Sequence, residues 1–383
     1  MRTTTLGVVI VAALTVVSCG SDSDGANTAP PTASSTTLPT ATNTTNTTNT
    51  TNTTNTTNST NSTTSTTLPD RPVAIDAVVA PEASTVAELL ALDRPLVIAH
   101  AGGDFEAPHS TMYAFTQTAL AGTDVLEMDV MLTADDVLVV HHDETIDRTT
   151  ETTGTVRDLP YDELAALDNA YWFVAGAWSD QSQPAEAYEL RGIRTGDRPA
   201  PSGFSADDFR IETFRSVANA FPDHVLDVEI KVQRDARGEP DLARAEQTAR
   251  VLADEIDELG RTDSTIVVSF DAATIATFRE FAPDVATSPA LDTLVAWYVG
   301  EPVEFAPNDL VFQVPPFYEG VEVLTPDVIA RAQSEGFEVW VWMDDTSIQE
   351  NADFYRDLIA RGADGLLVSR PTVAIDVLEE VSR

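Results

Sequence analysis

The chain has 383 residues, 22 Lys plus Arg against 62 Asp plus Glu, a formal charge of −40 and a single cysteine. Such acidity excludes nucleic acid and anionic lipid headgroups as long-range partners, because both require a positive footprint. One cysteine excludes an intrachain disulfide, so the fold has to be held by its core.

In chain order, the N-terminus M-R-T-T-T-L-G-V-V-I-V-A-A-L-T-V-V-S-C-G carries Arg2, an apolar stretch from Leu6 to Val17 and small Ser18 before Cys19, which predicts an export signal over 1–19. The stretch is short for a membrane span, and Cys19 falls where a bacterial lipoprotein signal is cut and acylated. The expectation is an exported, lipid-anchored protein, with plain secretion as the alternative and the membrane met through the anchor only. Residues 20–70 are mostly Ser, Thr, Asn and Pro, with Asn-Thr-Thr repeated between Asn43 and Thr57 and Thr-Thr-Leu-Pro at both 36–39 and 66–69. Such a tract cannot bury enough apolar area to offset chain entropy, so it predicts a disordered linker; about 50 flexible residues span about 40 Å. A connector over 71–93 leads to a folded domain over 94–383, long enough for one closed core.

From Arg94 onward, β-branched runs alternate with helical stretches: Leu96–His100, Val125–Val130, Val137–His141, Val225–Ile230, Thr265–Phe270, Leu310–Val314, Val339–Trp342 and Gly365–Val368. That rhythm predicts a mostly parallel sheet, and the number of strands favours an α/β (β/α)8 TIM barrel over a doubly wound sheet. Helices are predicted over Asp241–Leu259 and over Thr325–Glu335, the latter with a Thr cap, Pro at its first position and Gly336 at its end. Residues 168–215 break the rhythm with aromatics, Gly and Pro, and read as a βα-loop insertion: a wall or lid of the cleft, or a packed surface excursion.

The run L-E-M-D-V-M-L-T-A-D-D-V-L-V-V-H-H-D-E, 126–144, has a hairpin signature. If Asp135 and Asp136 form a two-residue loop, paired numbers sum to 271, which sets Asp129 opposite His142 and Glu127 opposite Glu144. Glu127, Asp129 and His142 then share a face, and a slip of one residue would exchange His142 for His141. Two carboxylates facing a histidine suit a hard divalent cation, but equally the wet face of an exposed hairpin. Four of the five histidines (His100, His109, His141, His142) fall within 43 residues, and Lys231 is the only lysine. Lys231 follows a predicted core strand in L-D-V-E-I-K-V, with Glu229 on its face; a compact ammonium wanted at a site, or an internal salt bridge, would each explain it. Together, His100 and His142 as base and acid, Glu127, Asp129 and Glu229 on Mg²⁺ or Ca²⁺, and Lys231 on a phosphate suit phosphoryl chemistry.

The segments I-A-H-A-G-G (98–103), T-D-V-L-E-M-D-V-M-L-T (123–133), V-V-H-H-D-E-T-I-D-R-T-T (139–150), D-V-E-I-K (227–231), V-V-S-F-D (267–271), V-W-V-W-M (339–343) and G-A-D-G-L-L-V (362–368) occur in this order. In them the chain resembles the glycerophosphodiester phosphodiesterase family, of the PI-phospholipase-C-like barrel type, from about Arg94 to the C-terminus. The resemblance implies an acid/base pair at His100 and His142, metal carboxylates at Glu127, Asp129 and Glu229, a phosphate-side lysine at Lys231, and a substrate-packing tryptophan at Trp342, with Trp340 as its competitor. It implies hydrolysis of a glycerophosphodiester to an alcohol and a glycerol phosphate. Two departures stand out. Ala101 replaces an arginine of the family's His-Arg-Gly, and Pro108-His109-Ser110-Thr111 replaces Pro-Glu-Asn-Thr. The missing guanidinium removes a bidentate phosphate contact; the alternatives are its replacement by Arg148, Arg191, Arg194 or a group of the insertion, or a different seat of the substrate's phosphate against the metal, with His109 as a further candidate. Rival expectations are a lysophospholipase-D-like enzyme on larger lipids, suggested by the aromatic insertion, and a surface-binding module that has lost catalysis. A serine hydrolase has no support: Ser269 and Ser369 lie outside any G-x-S-x-G, and no histidine follows His224.

Overall fold

The computed structural model of the chain describes residues 73–382; the signal, Cys19 and the linker expected over 1–70 lie outside them. Eight parallel strands form the barrel wall: β1 (Leu96–Ala99), β2 (Val125–Leu132), β3 (Val225–Ile230), β4 (Thr265–Val268), β5 (Ala286–Thr287), β6 (Val311–Val314), β7 (Glu338–Trp342) and β8 (Gly365–Val368). They are hydrogen-bonded in the order β5-β4-β3-β2-β1-β8-β7-β6. The ring closes between β5 and β6 through a parallel bridge, Thr287 to Asp309, where the Leu310 amide donates to the Thr287 carbonyl at 3.0 Å. The (β/α)8 expectation is met.

Alternation along the strands sorts two layers. Leu126, Met128, Val130, Leu226, Val228 and Ile230 point outward into a helix-lined cluster with Phe115, Phe214, Leu252 and Phe278. Leu96, Ile98, Val125, Val225, Ile266, Val311, Trp340 and Leu367 fill the barrel interior. Glu127, Asp129, Asp227 and Glu229 fall on the same parity as Val125 and Val225, and in the β2–β3 register Glu127 stands beside Asp227 and Asp129 beside Glu229. Two strands thus place four carboxylates above an apolar floor. The predicted helices form at Leu242–Glu258, where the Asp241 side chain accepts from the Arg244 amide, and at Pro326–Ser334, where Thr325 accepts from Val328. Among the described residues no helix is long and apolar enough to cross a membrane.

Two sequence expectations are corrected. The run Val137–His141 is no barrel strand: its residues Leu138–Val140 pair antiparallel with β2, and the true fifth strand is Ala286–Thr287, too short to leave a pattern. The hairpin register also differs, because Val130 pairs with Val140 and Leu132 with Leu138, a sum of 270 and not 271. The loop has three residues, Ala134 to Asp136. The Thr133 hydroxyl donates to Asp135 at 2.6 Å and accepts the Val137 amide at 3.0 Å, and Asp136 alone takes a positive φ of 61°. A two-residue type I′ turn would need positive φ at both aspartates.

Residues 168–215 form irregular structure with short 3-10 turns, ending in Glu212–Thr213, which pairs with the hairpin strand. Their aromatic interior closes on Arg191, whose guanidinium lies 4.2, 4.4 and 3.8 Å from the rings of Tyr171, Trp172 and Tyr188.

Candidate active site

His100 leaves the end of β1 in a tight turn. Its Nδ1 lies 3.3 Å from the Asp104 carboxylate one turn later, and His100 and the Ser369 side chain hold that carboxyl below its ordinary value despite burial. Behind Ser369, its amide donates to Glu350 at 3.0 Å, and Glu350 in turn accepts the Tyr355 hydroxyl. His142 is reached by a route the sequence did not foretell. In the actual register His141 faces Asp129, its amide donating to the Asp129 carbonyl at 3.0 Å. The strand has ended at Val140, however, and the chain bends, so the His141 ring turns to the Thr145 carbonyl at 3.2 Å and His142 enters the site. There His142 Nδ1 lies 2.7 Å from Asp143, and its ring centroid is 5.8 Å from that of His100. Each imidazole therefore turns Nδ1 toward a carboxylate, His142 at hydrogen-bond distance and His100 at ion-pair distance without hydrogen-bond alignment, and keeps Nε2 for other partners.

Beside the pair stands the acidic cluster. Glu127 accepts the Ala101 amide at 2.6 Å, while Lys231 Nζ bridges Asp129 at 2.9 Å and Glu229 at 3.0 Å. Below them Gln313 donates to both oxygens of Asp227, at 2.8 and 3.0 Å. Burial works against charge on His100, but Asp104, Glu127 and Asp129 outweigh it and push its pKa up to about 10. Burial and the neighbouring Asp129 hold Glu127 well above the usual carboxylate range. Asp129 is lowered despite burial, because Lys231, His142 and His100 surround it. Glu229 stays raised by burial, with Lys231 pulling the other way.

In chemical type this donor set suits a divalent cation. Oxygen ligands are the hard type such ions take, like charges crowd one another, and Asp129 Oδ2 is buried with no hydrogen-bond partner. Among the described residues no three His, Cys, Asp or Glu side chains stand grouped to hold an ion. The ammonium of Lys231 lies between Asp129 and Glu229, so the salt-bridge reading of this lysine and the site reading both apply.

Of the three arginines considered as substitutes at Ala101, only Arg148 is at the histidines. Its Nε and Nη2 donate to the two Asp143 oxygens at 2.5 and 3.1 Å, and its guanidinium lies 4.9 Å from the Trp178 ring. Arg191 is enclosed in the insertion, and Arg194 is bound to the Ala165 carbonyl and Asp207. Trp178, which the sequence reading did not single out, stacks on His100 with ring centroids 6.1 Å apart and an interplanar angle of 8°, and meets His142 edge-on at 5.2 Å. The signal for it was the aromatic run 171–178; that for Asp104 and Asp143 was spacing from the histidines, four residues and one. Trp340 and Trp342, two apart on β7, both face the interior: Trp340 is wholly buried in the floor, and Trp342 sits higher against Phe270 at 5.7 Å. The structure thus brings together His100, His142, Glu127, Asp129, Glu229 and Lys231, with Trp342 on the same barrel lining.

Comparison with known proteins agrees in one direction. The model of the glycerophosphoryl diester phosphodiesterase family matches residues 100–373. A glycerophosphodiester phosphodiesterase of Caldanaerobacter subterraneus is 25% identical over 287 residues, covering 75% of this chain and 99% of the relative. The human glycerophosphodiester phosphodiesterase 1 is 41% identical over a shorter stretch of 78 residues, 20% of this chain and 24% of its own length. Among solved structures, a phosphodiesterase of Oleispira antarctica in complex with the product sn-glycerol-3-phosphate superposes with a TM-score of 0.52 at 18% identity, covering 75% of this chain and 97% of that one. A glycerophosphoryl diester phosphodiesterase of Parabacteroides distasonis gives a TM-score of 0.53 at 21% identity, covering 79% and 94%.

Proposed function

Because the chain belongs to the glycerophosphoryl diester phosphodiesterase family, we propose that it hydrolyses glycerophosphodiesters to an alcohol and a glycerol phosphate by acid/base catalysis with His100 and His142. The observation that carries this reading is the convergence of the two imidazoles at 5.8 Å, each with Nδ1 turned toward its own carboxylate, beside the carboxylates of β2 and β3. His100, which holds its proton tightly, donates it to the departing alkoxide; His142 takes a proton from the attacking water or substrate hydroxyl. Asp104 and Asp143 keep the rings oriented. Glu127, Asp129 and Glu229 would hold a divalent cation, Mg²⁺ or Ca²⁺. Such an ion supplies Lewis-acid stabilisation to a phosphate oxygen. Lys231 steadies negative charge developing on the phosphate, Arg148 contributes the second positive group in place of a residue at Ala101, and Trp342 packs on the substrate.

The alternative of larger lipids drew on the aromatic insertion, but Tyr171, Trp172 and Tyr188 are occupied in enclosing Arg191. The alternative of a binding module sits poorly with two oriented histidines. Export through residues 1–19, with a lipid anchor at Cys19, belongs to the same proposal and rests on the sequence of that segment.

The test is hydrolysis of glycerophosphocholine by the purified protein with Mg²⁺, Ca²⁺ or chelator, beside His142→Ala and Glu127→Ala. Chelation should abolish turnover, and each substitution should lower kcat about 100-fold or more. Chelator-insensitive activity, or turnover unaffected by both substitutions, would falsify the mechanism.

A further inference from the structure

His109, fully enclosed behind the site, has both ring nitrogens engaged. Its Nε2 lies 3.3 Å from Arg148 Nη2 and its Nδ1 2.8 Å from the Ser110 hydroxyl. Arginine can only donate, so Nε2 must be the acceptor and the ring proton must sit on Nδ1. The tautomer follows from geometry. A neutral ring is also what burial, the adjacent guanidinium and His141, 5.3 Å away, favour: they depress the proton affinity of His109 well below the ordinary histidine value.

The same Arg148 makes the two-pronged contact with Asp143, whose Oδ1 is the partner of His142 Nδ1. A continuous line of contacts therefore runs Ser110, His109, Arg148, Asp143, His142. Arginine has many rotamers to lose, and a guanidinium held from one side only can pivot about its carboxylate. Here it is held on a second edge by the imidazole and on its face by Trp178. A carboxylate at 109 would compete with Asp143 for the cation, whereas a neutral acceptor restrains Arg148 without drawing it away.

We propose that His109 is a positioning residue for His142: its Nε2 lone pair fixes the Arg148 guanidinium in the orientation from which Asp143 presents Oδ1 to His142 Nδ1. The inference rests on the reading that His142 moves a proton during phosphodiester hydrolysis.

The experiment compares the wild-type enzyme with His109→Leu and His109→Gln, the latter able to accept from Arg148 through its amide oxygen. With glycerophosphocholine and Mg²⁺ or Ca²⁺, His109→Leu should lower kcat about tenfold or more while KM moves less than about threefold, and His109→Gln should recover most of the loss. In parallel, the proton NMR signal of the His142 Nδ1–H, assigned by its absence in His142→Ala, should be present in wild type and His109→Gln and lost to exchange in His109→Leu. Retention of both kcat and the signal in His109→Leu overturns the inference. So does an equal loss of kcat in both variants with the signal intact, since that is mere packing. If His109→Leu does not fold, His109→Asn, whose side chain is too short to reach Arg148, takes its place in the same comparison. A wild-type protein without phosphodiesterase activity overturns the functional reading alone, because the NMR comparison still decides whether His109 holds His142.

Discussion

Trp178 lies face to face with His100 and edge-on to His142, with its indole nitrogen buried and unpartnered and its face on Arg148. An indole in contact with both imidazoles removes part of their surface from water, and a less polar surrounding strengthens charge interactions there. Trp178→Ala should therefore lower kcat/KM about tenfold, and Trp178→Phe should retain most of it; steady-state kinetics decides, and an alanine variant faster than wild type would show the indole to be an obstruction. Ala101 illustrates what one residue type tells and what it hides. Its amide donates to Glu127, its φ is 45° and it is 1% exposed, so this position acts through its backbone and its side chain has no open space to fill. The absent arginine was visible in the sequence. Arg148 was among the candidates read from the sequence, but its selection over Arg191 and Arg194, and the presence of Trp178 beside it, were not legible, because residues 148 and 178 meet the histidines only through the fold of irregular loops. His142 lies beside His100 although the register expected for it was off by one residue, and the bend after Val140 that brings it there has no sequence signature.

At the scale of elements, the barrel depends on close approach where β7 and β8 meet. Gly365 pairs with Trp340, and a Cβ at Gly365 would lie 2.7 Å from the Trp340 ring and 2.8 Å from Ile98. Gly365→Ala must displace the largest side chain of the interior floor, a form of overpacking that typically costs about 1–3 kcal/mol. Urea unfolding should show that loss as a lower midpoint at unchanged m, and an unchanged midpoint would mean that the floor is plastic. Helix ends and most strands were legible because each carries its own chemistry: Asp241 and Thr325 cap, Pro326 starts, and alternating runs mark β2 and β3. β5 was not, since two residues, Ala286 and Thr287, are held by neighbours and not by pattern. The hairpin strand took its place in the sequence count, so the right number of strands came from a partly wrong set. Turn chemistry accounts for the register: the hydroxyl of Thr133 enlarges the loop by one residue, and only the geometry of that hydroxyl reveals it.

For the whole molecule, a charge of −40 means that the folded state confines mutually repelling carboxylates. Some are buried in addition. Glu212, Asp227, Glu338 and Glu350 are each pushed up to about 7 by burial. A carboxyl with a raised folded value binds its proton more tightly in the folded chain, so the stability it contributes is full below about pH 4 and is lost as pH rises through about 7. His100, raised to about 10, acts in the same direction over a higher window, contributing fully below about pH 6.5 and losing that contribution as pH climbs through its folded value. Opposing them, His141 and His224 are lowered to about 4 by burial, and the stability they contribute is present above about pH 6.5 and is lost as pH falls from there through about 4. Asp104, Asp129 and Asp143 lie below their ordinary values, so protonating them in acid removes the stability they add. The balance predicts a Tm that rises by a few degrees from about pH 8.5 to about pH 6 and falls again below about pH 4. Sodium chloride should raise Tm at the alkaline end more than near pH 5, because screening matters most where the chain carries its full charge. Calorimetric melts across this range are the measurement; a Tm that climbs from pH 6 to 8.5 would mean that the buried carboxyls are already paired with cations, with the Mg²⁺ or Ca²⁺ site the first place to look.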